Sequence, residues 1–314
     1  GLREGRHEER KRKSSKQQAR PRWSQAYFPT DVKRMPKALP QSAETLHPAP
    51  VWSLPPVVFE DDSLVAFDKP SGLPVGGRTE LAGATDGTLT DLVAAARGTD
   101  VRLVCAIDAE VSGVVAWAKH KVALDFLSGQ VQGRAAQRVQ HALVVVAEPD
   151  ETECEGVGRP LRGADGRLPE TFRVDFALGP DLHRPGRLHV YRKRGGRPAA
   201  TAFRVLEDFG RYVWLEVRPE TQRAQQTRAH LAAIGAPVLG DDLYGLAQER
   251  LLLSNLKRGY KGRTEERPLI DRLALHESEL TLRHPESREP VCLTAPLPKD
   301  LEVALRNLRK FARR

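Results

Sequence analysis

The sequence predicts an α+β fold in which a central mixed, largely antiparallel sheet carries a few flanking helices. Three observations lead there. Short runs alternate in polarity with a period of two between turn signals, as strands do. A few amphipathic segments among them carry helix caps. No repeat of fixed period and no glycine-rich nucleotide fingerprint breaks the pattern.

Taken in chain order, Leu89, Leu92 and Val93 follow Thr88 in a short amphipathic helix, and Asp91 completes a capping box. Residues 101–105 and 114–118 read as strands separated by the turn signal Ser112-Gly113. A second helix follows Lys119, with Val122, Ala123, Phe126 and Leu127 on one side. Further strands are predicted at 138–146, 172–177, 188–191, 201–206, 213–217 and 279–282. Val213, Leu215 and Val217 alternate with Trp214 and Glu216, as in a strand with two unlike faces. Beyond that strand, Thr221 is placed to cap a helix and Gly235 to end it in the left-handed conformation. On that helix Arg228 and Leu231, three apart, share a face.

Charge divides the chain. Residues 1–37 hold twelve Lys or Arg and four Asp or Glu, a net of +8 out of the +9 of the whole 314 residues. Residues 1–50 therefore read as a basic, Pro-containing extension that cannot bury enough surface to fold alone, and 51–314 as one domain. Arg10-Lys11-Arg12-Lys13 would meet phosphate, and Arg250, Lys257, Arg258, Lys261 and Arg263 mark a basic insertion expected at a cleft edge. Three cysteines, Cys105, Cys154 and Cys292, cannot all pair and lack metal-ligand spacing, which points to a reducing, cytoplasmic setting. No apolar run reaches the length of a membrane span.

Asp108 stands just ahead of the Ser112-Gly113 turn, where a carboxylate can face a cleft or merely bond its own backbone. A second segment, Arg218-Pro219-Glu220-Thr221-Gln222-Arg223-Ala224-Gln225-Gln226-Thr227-Arg228-Ala229-His230, running on to Gly240-Asp241-Asp242-Leu243-Tyr244-Gly245, settles the choice. Together these residues resemble the RluA-type family of RNA pseudouridine synthases. Val57 to Val75, with Asp68-Lys69-Pro70-Ser71-Gly72, looks like the family's opening hairpin, and Ile107-Asp108 with Ser112-Gly113 like its catalytic loop. Residues 197–206 and the helix from Arg223 to His230 look like its central strands and basic helix, and Leu273-Ala274-Leu275-His276 and Ala295-Pro296-Leu297-Pro298 like its closing motifs. The matches cover residues 57–305 or so. Where the family has His-Arg-Leu-Asp, this chain has Cys105-Ala106-Ile107-Asp108; Gln140 aligns with its usual Tyr, Gln225 with a His and Gln222 with a Gly.

The resemblance implies a pseudouridine synthase-like fold and the isomerisation of uridine to pseudouridine in ribosomal or transfer RNA, with Asp108 as nucleophile, Arg228 as its partner, and neither metal nor organic cofactor. A guanidinium within salt-bridge reach would keep the carboxylate ionised. Gln140, Leu275 and Ile107 would form the base pocket, and Lys69, Arg223, Gln225 and Gln226 would meet RNA. His230 and His276 read as structural. A monomer is expected. The altered motif residues leave a second reading open: a catalytically degenerate relative that binds structured RNA in ribosome assembly.

Overall fold

The computed structural model describes residues 52–76, 87–148, 157–163, 165–246, 249–260, 262 and 265–312. The extension 1–50, with Arg10, Lys11, Arg12 and Lys13, lies outside these residues, as do Lys261 and Arg263. In order the elements are β1 (Val57–Glu60), β2 (Leu64–Lys69), α1 (Leu89–Arg97), β3 (Arg102–Cys105), β4 (Ser112–Ala118), α2 (Lys121–Gln132), β5 (Gln137–Val145), β6 (Thr171–Asp175), β7 (Ala177–Pro180) and β8 (Leu188–Tyr191). There follow β9 (Ala200–Asp208), β10 (Tyr212–Pro219), α3 (Gln226–Ala233), α4 (Leu253–Leu256), β11 (Leu275–Arg283), β12 (Pro290–Thr294) and α5 (Lys299–Phe311).

Ten strands make one sheet in the order β1-β2-β4-β11-β5-β10-β9-β6, with β3 beside β4 and β12 beside β11; β7 and β8 form a separate ribbon. Among the described strands every pairing is antiparallel except β4 with β11. All seven residues of β4 are buried, because both faces of the sheet are covered there. Val115 and Trp117 join Phe67, Leu143 and Leu215 in a cluster shared with α1, α3 and α5. Ala116 and Ala118 pack on the other side with Ala123 and Leu127 of α2. The capping box of α1 is present, with Thr88 and Asp91 each bonding the other's backbone N–H.

Three elements differ from the sequence expectation. Val122 is 75% exposed, because the buried stripe of α2 runs through Ala123 and Leu127 and the preceding position points about 100° away. Thr221 does not cap α3. Its hydroxyl accepts from the Ala200 N–H at 3.0 Å and donates to Gln226 Oε1 at 2.8 Å, tying the loop to β9, while Gln225 occupies the cap. The third is α5, to which no helix was assigned from sequence. It buries Leu301, Ala304, Leu305 and Leu308, an i, i+3, i+4, i+7 stripe.

The parallel seam positions the Asp108 loop. There Ser112 is opposite His276, and Gly113 opposite Glu277. Gly113 has φ 122°, and a Cβ on it would overlap the Glu277 backbone. Its lack of a side chain is what lets β11 close against β4. Gly113→Ala should therefore lower stability by about 1–3 kcal/mol from the backbone conformation alone, with more lost as the strands part. Denaturant unfolding measures this, and a loss under ~0.5 kcal/mol, the usual range for a neutral surface change, would contradict the seam.

Candidate active site

Asp108 sits in the loop between β3 and β4, which closes with the Val111 N–H donating to the Asp108 carbonyl at 3.1 Å. The loop is braced from below. Lys69 at the end of β2 is fully buried, and its ammonium donates to the carbonyls of Ala109 (2.8 Å), Leu73 (2.9 Å) and Pro70 (2.9 Å). Burial pulls that ammonium down to about 7, against the opposing pull of Glu110 and Asp108. Gly72 N–H also donates to Ala109, and the Ser71 hydroxyl to Glu110. Lys69, expected to face RNA, is thus a brace for the loop: its three donors are spent on backbone and none is exposed.

Facing the loop is the start of α3. Gln225 adopts a left-handed conformation, φ 54°, uncommon for a residue with a side chain. That conformation aims its backbone N–H at both carboxylate oxygens of Asp108, at 3.1 and 3.2 Å. Its side chain holds it there, accepting from the Tyr244 hydroxyl at 2.6 Å and donating to the Gly186 carbonyl at 2.8 Å. One turn on, Arg228 is 2% exposed. Its Nε and Nη2 take the two oxygens of the buried Asp241 at 2.8 and 2.7 Å. The remaining nitrogen, Nη1, is 3.2 Å from Glu110 and 4.0 Å from Asp108. Asp108 and Arg228, 120 positions apart in sequence, therefore lie at the limit of salt-bridge distance, and Glu110 is the nearer partner.

Burial pushes the Asp108 carboxyl up, and Glu110 adds to this; Arg228 and the Gln225 N–H pull it down without cancelling the rise. The guanidinium was expected to hold this carboxyl low. Desolvation outweighs it because Arg228 already serves Asp241 and Glu110.

Asp108, Ile107, Leu275, Gln140, Arg223 and Arg228 all line one cavity of about 230 Å³. Ile107 and Leu275 are buried and form its apolar side. Gln140 lies in a relay: its Nε2 donates to Glu277 at 2.7 Å, its Oε1 accepts from Thr227 at 2.6 Å, and Glu277 accepts from Nε and Nη2 of Arg138 at 2.5 and 2.8 Å. Gln226, also expected to face RNA, is buried, and its amide donates to the Ala200 carbonyl and the Thr201 hydroxyl. His230 bonds Thr201 and Phe176, and His276 bonds Ser112 and Ala295, so both rings are structural ties. No described residue of the basic segment 246–270 lines the cavity; Lys257 stands over Tyr260 and over Phe311 of α5 instead. Among the described residues no cluster of His, Cys, Asp or Glu is arranged to hold a metal ion.

Sequence reasoning missed Asp241, Glu110, Glu277 and Arg138. Asp241 had a readable signal, an acid directly after Gly240 in the quoted motif; the others pair across long separations that no periodicity reports. It also passed over residues 184–197, with six Lys or Arg and no Asp or Glu, which contain β8 and the turn leading into it, beside Gln225.

This fold and loop define the class of protein. Residues 63–233 match the family model for RNA pseudouridylate synthases, and the chain belongs to that family, in its RluA-type branch. It is 32% identical over 272 residues to ribosomal large subunit pseudouridine synthase D of Xanthomonas campestris pv. campestris, covering 82% of this chain and 70% of that one. Likewise it is 33% identical over 252 residues to an RNA pseudouridine synthase of Chloroflexus aurantiacus, covering 78% and 66%. The chain thus spans about two thirds of the length of these relatives. Among solved structures, human RNA pseudouridylate synthase domain containing 1 superposes with a TM-score of 0.56 at 21% identity, covering 82% of this chain and 90% of that one, and domain containing 4 with 0.53 at 22%, covering 81% and 92%.

The buried Arg228–Asp241 pair makes a clear demand on stability. Asp241→Asn leaves a guanidinium buried without its counter-charge, which typically costs about 3–5 kcal/mol. A denaturant midpoint close to that of the unaltered protein would show that the pair does not anchor α3.

Proposed function

We propose that this protein isomerises uridine to pseudouridine in RNA, with ribosomal RNA as substrate, transfer RNA as the alternative class, and Asp108 as the nucleophile. The observation that carries the reading is the placement of Asp108 in the cavity, its two carboxylate oxygens held by the one backbone N–H of Gln225 at 3.1 and 3.2 Å and approached by Arg228. A target uridine leaves its stack and enters between Ile107, Leu275 and Gln140. Asp108 adds covalently to the base or to the ribose. The N1–C1′ bond breaks, the uracil turns, C5 bonds to C1′, the bond to Asp108 breaks and returns the free carboxylate, the C5 proton leaves, and N1 takes up a proton. No external energy source enters this balance. The free thiols Cys105 and Cys292 suit a reducing cytoplasm, and the chain acts as a monomer.

Asp108→Asn keeps the shape of the side chain but cannot form the adduct. It should abolish pseudouridine formation in RNA from a strain lacking the gene while leaving RNA binding nearly intact. Wild-type protein that binds ribosomal RNA tightly yet modifies no uridine in any cellular RNA would favour the degenerate, assembly-factor reading, for which Gln140 and Ala106 in place of the family's usual residues are the motive.

The pH dependence follows from the raised Asp108 carboxyl. The ionised form reacts, so kcat/KM should fall with acid as pH drops through a value above the usual carboxylate figure of about 4. Glu110→Gln removes a negative neighbour and frees Arg228 Nη1, both of which lower that value. Its acid limb should move to lower pH. An unmoved or raised limb in the Glu110 variant would refute this account of the site's charge.

A further inference from the structure

Three arginines at the mouth of the cavity have no carboxylate in salt-bridge contact among the described residues. Arg223 lines the cavity, yet among the described residues its guanidinium finds only backbone: Nη1 donates to Gln222 at 3.0 Å, Nη2 to Pro198 at 3.4 Å, and Nε is buried without a hydrogen-bond partner. Arg197 adjoins that same Pro198 and is exposed. Arg134 is exposed just beyond α2, at a left-handed φ of 60°. It lines a hollow of about 280 Å³ together with Arg138 and Gln222, both of which also line the active cavity. Their basic neighbours are satisfied: Arg138 by Glu277, Arg173 by Glu220 and Asp175, Arg204 and Arg218 by Glu216, and Arg228 by Asp241. Burial first, and then the charges of Arg197 and Arg134, hold the Arg223 guanidinium below its ordinary value, so Arg223 feels the charge of each of the other two. The nearby acid, Glu220, has both oxygens bound by Arg173.

Like charges gathered at a cleft mouth raise the energy of the free protein, and an arriving anion relieves it. We propose that Arg134, Arg197 and Arg223 form a phosphodiester clamp that holds the RNA backbone beside the nucleotide entering the Asp108 cavity. The proposal deepens the reading of this chain as an RNA-modifying enzyme and rests on it. Three loops, after α2, after β8 and before α3, supply one arginine each. A planar guanidinium fork suits a tetrahedral phosphate, and contacts of this kind position RNA without reading its sequence.

The test is salt-dependent binding of the full chain to a uridine-containing RNA stem-loop. Arg134→Gln, Arg197→Gln and the double variant should each bind several-fold more weakly at low salt. The slope of log K against log salt should flatten in the double variant by about 0.7–0.9, one phosphate's worth. Melting temperature should hold or rise, because repulsion on Arg223 is relieved, whereas a structural role would lower it. Lys121→Gln, at the opposite end of α2, removes the same unit of charge and serves as control. An unchanged slope and affinity in the double variant, an equal loss in the Lys121 variant, or a lowered melting temperature with an intact slope overturns the clamp. Asp108→Asn, assayed alongside, reports on catalysis separately: a wild type that makes no pseudouridine but loses RNA with the clamp arginines refutes the enzymatic reading and leaves the clamp standing.

Discussion

The direction of one guanidinium governs this site. Asp241 takes Nε and Nη2 of Arg228 with both of its oxygens, out of water, and two fixed hydrogen bonds leave the planar group no rotation. Nη1 must then point where it does, toward the loop that carries Asp108 and Glu110. Such a buried pair is weak evidence of net stabilisation, since desolvating two ions consumes most of their attraction. Its contribution is geometric. The backbone N–H of Gln225, the brace from Lys69 and the glycine at the β4–β11 seam bring Asp108 to a guanidinium whose position is already set.

The charge count explains why Asp108 is not a low, permanently ionised acid. Asp108, Glu110 and Asp241 share one guanidinium, and the buried ammonium of Lys69 is pulled toward neutrality by burial. With cations in short supply, the partly buried carboxyl rises. For a nucleophile this has two effects that oppose one another. A more basic carboxylate is intrinsically the better nucleophile, but it must still be ionised at working pH. Arg228 at 4.0 Å and the Gln225 N–H pull it back toward the ionised form without matching the full cost of burial, a balance that a closer, exclusive ion pair would forfeit.

Much of this was legible in the sequence and some was not, for reasons that differ by residue. The strand of 212–219 announced itself because Val213, Leu215 and Val217 carry a period of two, and the capping box of α1 because its two partners are three apart. Asp108 and Arg228 came from motif order. Lys69 and Gln226 were placed at the RNA by motif resemblance alone, and a motif does not report that every donor finds a backbone carbonyl or a hydroxyl inside. Thr221 was misread because local capping and a tie to a distant strand use the same hydroxyl, and only the fold decides between them. The left-handed Gln225 has no sequence signal, since side-chain residues rarely take that conformation; its reason lies in Asp108, 117 positions away.

Gln140 shows how the architecture can persist while a residue lining the cavity changes. An aromatic ring there would hold a uracil by its face, an interaction of about 1–3 kcal/mol. The amide instead belongs to a relay, from Arg138 through Glu277 to Gln140 and Thr227, in which every link is a strong donor–acceptor pair. A carboxylate accepting one amide hydrogen fixes which end of the amide is nitrogen, and Thr227 donating to the other end agrees with that choice. Gln140 thus presents the cavity with a defined edge rather than a rotatable one, with one amide hydrogen beyond the bond to Glu277. Recognition of a base through such an edge would depend on hydrogen-bond direction, so it would distinguish the rim of a base more sharply than a ring face does and tolerate misplacement less. The fixed guanidinium of Arg228 and the braced loop supply the positional accuracy that such an edge requires.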